Sequence, residues 1–227
     1  VLDRLVALAQ PNATDRVLDV ATGTAHTALA FAPYVQSVIA TDITPEMIAQ
    51  GEMLRAEAGI ENLEFRMTDA HDLPFEEASF EIVTCRRAAH HFIDIGKALQ
   101  EMLRVLKNGG RLAIDDRSVP EDDFADVTLN RLDWLHDHSH VRQYRPSEWR
   151  KMLQDAGGKI EAIETYTKHR PLSAFTNGVD AADVTEIESI VAALNDAQRT
   201  ALNVTEKDGE VHLNHWYVTV IGVKSDA

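Results

Sequence analysis

Short apolar segments alternate with helical patterns through the first half of the chain, and this alternation restricts the fold more than any other feature. Helical patterns at 24–31, 45–58 and 92–106 separate most of the apolar segments, which are predicted as strands at 16–20, 35–40, 63–67, 80–85 and 111–115. Short apolar strands joined by single-helix crossovers form a parallel sheet that is covered on both faces. We therefore expect an α/β fold with a doubly wound sheet.

The alternation ends after residue 116. Helices are predicted at 124–138 and from Pro146 to about residue 157, followed by a strand at 160–166 and a long strand at 211–223. A mostly helical insertion at 172–202 carries an apolar stripe that indicates core packing, with a lid or a homodimer surface as the second interpretation. Its members are Val184, Ile187, Ile190, Val191 and Leu194.

Charge and composition exclude several partners. The formal net charge is -15, and an acidic surface repels phosphate backbones, so nucleic acid is not expected as a partner. No apolar run is long enough to cross a bilayer. The single cysteine, Cys85, cannot form an intramolecular disulfide and indicates a reducing, cytoplasmic location.

A run of small residues follows the first predicted strand. Ala21-Thr22-Gly23-Thr24-Ala25 lies between that strand and a helix. Small side chains let a ligand approach the main chain closely, and a strand, a tight turn and a helix N-terminus form a common ligand cradle. Thr22 and Thr24 are candidates to cap the helix.

Three acids lie within or just after neighbouring strands, on what becomes one edge of a parallel sheet. Asp19 lies in the first strand, Asp42 follows the second, and Asp69 follows the third. An acid after strand two is placed to accept hydrogen bonds from a ribose diol, and one after strand three can accept from an exocyclic amine. With Ile43 and Met47 as apolar neighbours for a purine, the pattern predicts a nucleoside pocket.

These segments together resemble class I S-adenosylmethionine-dependent methyltransferases, in particular the ubiquinone/menaquinone-biosynthesis C-methyltransferase group (methyltransferase type 11). The matching segments are VLDVATGTA at 17–25, IATDITPEM at 39–47, MTDAHDLPF at 67–75, FEIVTC at 80–85 and RVLKNGG at 104–110. The resemblance implies a Rossmann-like sheet of seven strands, mostly parallel with the last strand antiparallel, plus helical insertions. It also implies one domain over 1–227, with a cofactor half at about 1–116 and substrate or lid elements at about 117–150 and 171–205.

The resemblance further implies a role for each matching position. Asp42 would bind the ribose hydroxyls, and Asp69 the adenine amine, with the Ala70 amide on the ring. Asp19 would organise the loop and the ammonium end of S-adenosylmethionine. The methionine moiety would lie among Ala21, Thr22, Gly23, Cys85 and Arg86. The family usually has glycine where this chain has Ala21 and Ala25, which predicts a narrower pocket or ordinary backbone angles there.

Histidines supply the candidate catalytic groups. His90 and His91 follow strand four, where a methyl acceptor is expected, and histidine suits proton transfer near neutral pH. His26 is a weaker candidate to face the substrate. Cys85 is expected to be a buried apolar residue and not a nucleophile. The alternating histidines at 136, 138 and 140 do not share a face, so no metal is predicted.

The sequence therefore predicts a cytoplasmic enzyme that transfers a methyl group from S-adenosylmethionine to a small-molecule acceptor. Two alternatives stay open. One is a weak or inactive cofactor-binding protein of the same fold, which Ala21 and Ala25 keep under consideration. The other is a nicotinamide-dependent oxidoreductase, against which the Asp69 loop and the turn at 107–110 argue.

Overall fold

The fold is described from a computed structural model, which describes residues 1–224. Within that range the strands are β1 (Arg16–Val20), β2 (Ser37–Asp42), β3 (Leu63–Met67), β4 (Phe80–Arg86), β5 (Leu106–Ser118), β6 (Gly158–Pro171), β7 (Thr205–Lys207) and β8 (Glu210–Lys224). The helices are α1 (Leu2–Ala9), α2 (His26–Phe31), α3 (Pro45–Glu57), α4 (Ile95–Val105), α5 (Asp123–His136), α6 (Pro146–Asp155), α7 (Ser173–Thr176), α8 (Ala181–Ala192) and α9 (Asp196–Ala201). Short 3-10 turns lie at Ala32–Tyr34 and Ala89–His91.

The strands form one sheet in the order β3-β2-β1-β4-β5-β8-β6, and β7 pairs with β8 outside this path. Strands β1 to β5 pair in parallel, while the last strands are antiparallel. The expected Rossmann-like α/β fold is therefore confirmed. The predicted seven strands correspond to the main path, and β7 is an additional short strand that the sequence analysis missed.

Two compact units divide the chain. Among the described residues, the first contains Val1–Asp116, Trp149–Glu164 and 219–224; the second contains Arg117–Glu148 and Thr165–Val218. In the first unit, apolar side chains from α1, α2 and the sheet form the core, including fully buried Leu5 and Phe31. This unit holds the carboxyl ends of β1 to β4.

The second unit has its own apolar core. Its buried members are Leu132, Leu135, Phe175, Ile187, Val191 and Leu213. Ile187 and Val191 come from the apolar stripe of the helical insertion, so these two residues pack in a core. Ile190 and Leu194 pack against it, partly buried.

The predicted bounds of α2 and β2 were wrong, and the backbone conformation explains the difference at α2. Helix α2 begins at His26 and not at residue 24, because Ala25 has a positive φ of 66° that is incompatible with a right-handed helix. Neither Thr22 nor Thr24 caps this helix, since its N-cap is Ala25 and no side chain bonds there. Strand β2 lies at Ser37–Asp42, two residues later than predicted.

The described residues contain no helix that combines the length and apolarity needed for a membrane crossing.

Candidate functional site

The loop after β1 is held in an unusual backbone conformation. Ala21, Gly23 and Ala25 all have positive φ, at 52°, 54° and 66°. The Thr22 N–H donates to the Thr41 carbonyl at 2.8 Å, which ties the loop to β2. The expectation of ordinary backbone angles at Ala21 and Ala25 was therefore wrong: both alanines adopt the left-handed conformation that usually favours glycine.

Asp19 lies at the base of this loop with only 1% of its surface exposed. Its Oδ2 accepts hydrogen bonds from the Thr22 hydroxyl at 2.5 Å and the Ala28 N–H at 3.1 Å. Its Oδ1 is buried and has no hydrogen-bond partner among the described residues. Burial raises the pKa of Asp19 to about 7, against the opposing effect of these two bonds. Asp19 therefore organises the loop and keeps one acceptor oxygen unused.

Asp42 joins the loop after β1 to the start of α3. Its Oδ2 accepts from the Gly23 N–H at 2.8 Å, and its Oδ1 accepts from the Thr44 N–H at 2.9 Å. Each carboxylate oxygen can still accept a further hydrogen bond. Beside it, Ile43 is 65% exposed, and Met47 is half-buried in the first turn of α3. The carboxylate thus lies next to an exposed apolar side chain.

Asp69 lies in the segment after β3 and is fixed by His71. Its Oδ1 lies 2.9 Å from the His71 N–H and 2.6 Å from the His71 Nδ1. These bonds hold the pKa of Asp69 below its usual value. The His71 Nε2 accepts from the Asp94 N–H at 3.3 Å, and Ala70 is buried. The sequence analysis did not predict this role of His71. Its position two residues after Asp69 was the sequence signal for it.

Two more predicted residues, Cys85 and Arg86, close strand β4. Cys85 is fully buried, and burial raises the pKa of its thiol well above the usual value. This environment is opposite to that of an activated nucleophile, in agreement with the prediction. Arg86 is partly buried, and its Nε lies 3.7 Å from Asp115 Oδ1.

His90 and His91 lie in the 3-10 turn after β4, with ring centroids 4.0 Å apart. The His90 N–H donates to Asp116 Oδ2 at 2.9 Å, and His90 Nδ1 lies 2.6 Å from Asp116 Oδ1. Asp116 lies in β5 and is fully buried. The two carboxylate oxygens therefore fix both the backbone and the ring of His90.

The adjacent acids Asp115 and Asp116 were missed by the sequence analysis, which predicted a strand ending at residue 115. Both are fully buried. Asp115 Oδ1 accepts from Arg87 Nε at 3.1 Å, and its Oδ2 accepts from the Thr219 hydroxyl at 2.9 Å. A pair of adjacent acids at the end of an apolar strand was the available signal.

The remaining histidine candidates each have different surroundings. His26 is exposed at the first position of α2. In the second unit, hydrogen bonds or ion pairs connect His136 to the Phe175 carbonyl, His138 to Asp183 and His140 to Asn130. Within residues 1–224, no group of three or more His, Cys, Asp or Glu side chains is arranged to hold a metal ion.

The sequence is similar to known methyltransferases. Residues 11–157 match the family described as methyltransferase domain. The methyltransferase YcgJ of Bacillus subtilis is 46% identical over 152 residues, which cover 67% of this chain and 60% of that protein. The ubiquinone/menaquinone biosynthesis C-methyltransferase of Citrifermentans bemidjiense is 36% identical over 113 residues, 48% of each protein. The chain thus spans about half to three fifths of the length of these relatives.

Solved structures give the same result over nearly the whole chain. The crystal structure of Bacillus subtilis YcgJ matches with a TM-score of 0.94 and 34% identity, covering 100% of this chain and 98% of that one. A Bacillus halodurans structure described as a candidate methyltransferase matches with a TM-score of 0.95 and 32% identity, covering 99% of each chain. The chain therefore belongs to the methyltransferase domain family.

Proposed function

We propose that this protein transfers the methyl group of S-adenosylmethionine to a small-molecule acceptor. The observation that carries the proposal is the position of Asp42. Its two oxygens accept hydrogen bonds from Gly23 and Thr44, so they lie between the loop after β1 (residues 21–25, the cradle loop) and α3. A carboxylate with acceptor capacity left, at the end of β2, matches the hydroxyls of a ribose.

The other site residues fit the same ligand. Asp69 Oδ2, opposite the oxygen that His71 occupies, would accept from the adenine amine, and the Ala70 N–H would meet the ring. Ile43 and Met47 would pack on the purine. The unused buried Oδ1 of Asp19 fits the ammonium group, because buried acceptors without partners are rare and costly. Ala21, Thr22, Gly23, Cys85 and Arg86 would surround the methionine moiety.

When bound, S-adenosylmethionine supplies a methyl group on a positively charged sulfur. The chain's own contribution is to hold the acceptor in line with that methyl group, because positioning provides much of the rate in such displacements. We assign His90 as the base that takes a proton from the acceptor and His91 as its neighbour in the acceptor site. Three further predictions come from the sequence. The segments 117–150 and 171–205 would recognise the acceptor, the protein would form a homodimer, and it would be cytoplasmic.

Calorimetric titration tests the donor. S-adenosylmethionine and S-adenosylhomocysteine are expected to bind, and NAD is not. The absence of heat with both sulfur ligands would contradict the proposal, and saturable heat with NAD would instead support the oxidoreductase alternative.

Substitution of Asp42 tests the ribose contact. Asp42→Ala is expected to weaken S-adenosylhomocysteine binding by a hundredfold or more, on the order of the 3 kcal/mol lost with a charged hydrogen-bond partner. Asp42→Asn, which retains one carbonyl acceptor for the loop, is the matched control for folding. Unchanged affinity in both variants would exclude Asp42 as the ribose ligand.

A further inference from the structure

Strand β3 lies at one end of the sheet, and within residues 1–224 no strand pairs with its outer edge. Its inner edge pairs in parallel with β2 over Leu63–Met67. The open edge of a sheet presents backbone N–H and C=O groups that can pair with a strand of another chain. The outer edge of β3 is therefore a surface to which a further strand can be added.

Hydrogen bonds at the two ends of β3 identify the backbone groups that face outward. The Asn62 carbonyl accepts from the Val38 N–H at 2.9 Å, and the Thr68 N–H donates to the Asp42 carbonyl at 3.0 Å. Residues 62 and 68 therefore face β2. Because successive residues of a strand direct these groups to alternate sides, residues 64 and 66 also face β2, and residues 63, 65 and 67 face outward.

One face of β3 carries a charge of each sign. Glu64 and Arg66 point to the same face because they are two residues apart. Arg66 Nε lies 2.8 Å from Glu64 Oε1, and the two side chains are 44% and 60% exposed. On the other face, at the end of the strand, Met67 is 67% exposed. Two opposite charges and an exposed apolar side chain thus lie along the open edge.

These charges select one register for a second copy of β3. When two copies pair antiparallel about a twofold axis at Phe65, Glu64 of each copy lies opposite Arg66 of the other. The outward N–H and C=O of Phe65 then meet those of Phe65 in the second copy, and Met67 lies opposite Leu63. An axis at Glu64 would place two glutamates together, and an axis at Arg66 two arginines, which is unfavourable for charges directly opposite each other.

We propose that this protein forms a homodimer through the outer edges of two β3 strands, paired antiparallel about an axis at Phe65. The interface is isologous, because the same surface is used by both copies. Arg55 Nη1 donates to the Leu63 carbonyl at 3.3 Å, and that carbonyl has a second lone pair for the Met67 N–H of the second copy. This surface lies in the first unit and differs from the helical insertion at 172–202, which the sequence offered as a homodimer surface.

Charge reversal tests the register. Sedimentation velocity of the wild-type protein is expected to show a monomer–dimer equilibrium with a Kd on the order of 10–100 μM, because a short strand edge forms a small interface. Glu64→Arg and Arg66→Glu each place like charges opposite each other and should weaken the dimer at least about tenfold. The two substitutions change the net charge in opposite directions, so overall charge cannot explain a loss common to both.

Mixing the two variants is the matched control. A chain with Glu64→Arg carries arginine at both positions, and a chain with Arg66→Glu carries glutamate at both. Every pair across the axis of a mixed dimer is therefore attractive, and an equimolar mixture should recover the dimer. The double variant Glu64→Arg/Arg66→Glu should also recover it, because it exchanges the two charges in both copies.

Three results would overturn the proposal. The first is a wild-type protein that stays monomeric at about 1 mM. The second is a dimer that survives both charge reversals, which would locate the contact elsewhere, for example at the helical insertion. The third is a mixture that fails to associate, which would show that only the ion pair within each strand matters. The inference does not rest on the methyl donor, so calorimetry with S-adenosylhomocysteine tests the proposed function separately.

Discussion

At the scale of single residues, the two alanines of the cradle loop carry conformational strain. Ala21 and Ala25 have φ of 52° and 66°, in a region that costs an L-residue about 1–2 kcal/mol. The methyl group of Ala25 has room because the neighbouring helix α3 carries a glycine, Gly51. A methyl group added to Gly51 would lie 3.2 Å from the Ala25 methyl, so the missing side chain on α3 leaves room for Ala25.

Replacing Ala21 by glycine should therefore stabilise the protein. The half-buried Ala21 loses little packing, and glycine adopts positive φ without the steric cost, so Ala21→Gly is expected to raise the free energy of unfolding by about 0.5–1 kcal/mol. Urea denaturation measures this change in the free energy of unfolding. The matched control is Ala30→Gly in helix α2, where the same change should cost about 1 kcal/mol. Similar losses in both variants would show that Ala21 is unstrained.

Asp19 should make donor binding depend on pH. Its pKa is about 7 in the free protein because the carboxylate is buried, and an ammonium group beside it would favour the ionised form. Binding should therefore release a proton, and affinity for S-adenosylhomocysteine should rise between pH 6 and pH 8. Calorimetry in buffers of different ionisation enthalpy measures the released proton. Asp19→Asn should release fewer protons on binding than the wild type. Equal proton release by the two proteins would contradict a contact between Asp19 and the ammonium group.

At the scale of elements, strand bounds were predicted correctly where turn residues directly flank a short strand. The bounds of β1 and β3 agree with prediction because each is a short strand with its turn residues directly outside. Strand β5 is longer than predicted, at Leu106–Ser118, and its pairing with β4 shifts register between Phe80 and Ile82. Asn108, Gly109 and Gly110 suggested a helix end, but the sequence could not show that neighbouring strands pair across them.

An added side chain at Gly110 would meet backbone atoms of β4 and β5. A methyl group there would lie 2.8 Å from the Glu81 carbonyl and 2.9 Å from the Lys107 carbonyl, and both are backbone atoms that cannot move away easily. Gly110→Ala should therefore cost about 3 kcal/mol.

Gly109 provides the matched comparison, because it has a φ of 73° and nothing within 4 Å of an added methyl group. Gly109→Ala should cost only about 1 kcal/mol, from backbone strain. Thermal and urea denaturation of both variants give the comparison. If Gly110→Ala were the milder change, the close approach of β4 and β5 would be wrong.

The candidate site was predictable only in part, for a physical reason. Asp19, Asp42 and Asp69 could be identified because acids at consecutive strand ends stand out against apolar neighbours. The bonds that decide their chemistry join segments far apart in sequence, such as Gly23 to Asp42 and His90 to Asp116. Those distances depend on sheet order and on the backbone angles of the loops, neither of which a single sequence encodes locally.

At the scale of the whole molecule, the second unit contains a buried histidine that makes stability depend on acid. His215 is 1% exposed, stacks on Phe175 at 4.3 Å between ring centroids, and has no hydrogen-bond partner for either ring nitrogen among residues 1–224. Burial, with the charge of Arg117 adding to it, lowers the pKa of His215 to about 2. The folded protein therefore keeps this ring neutral where the unfolded chain, with a pKa of about 6.5, takes up a proton.

Acid should consequently unfold the protein partly through His215. Because the unfolded state binds more protons below pH 6.5, the free energy of unfolding should fall by up to about 1.4 kcal/mol per pH unit from this residue alone. His215→Leu should reduce that slope between pH 6.5 and pH 4.5 without loss of stability at pH 7. Equal slopes in the wild type and in His215→Leu would contradict this account.

The two hydrogen bonds that Asp42 accepts have a consequence for any attempt to alter the proposed donor preference of this protein. The carboxylate proposed to bind ribose also holds the Gly23 and Thr44 amides in place. The same two oxygens would therefore bind the ribose and hold the two loops. A substitution at residue 42 changes the ribose contact and the loop contacts together. Redesign for a donor with a modified ribose would have to begin in the loops, by giving those amides new acceptors before residue 42 is changed.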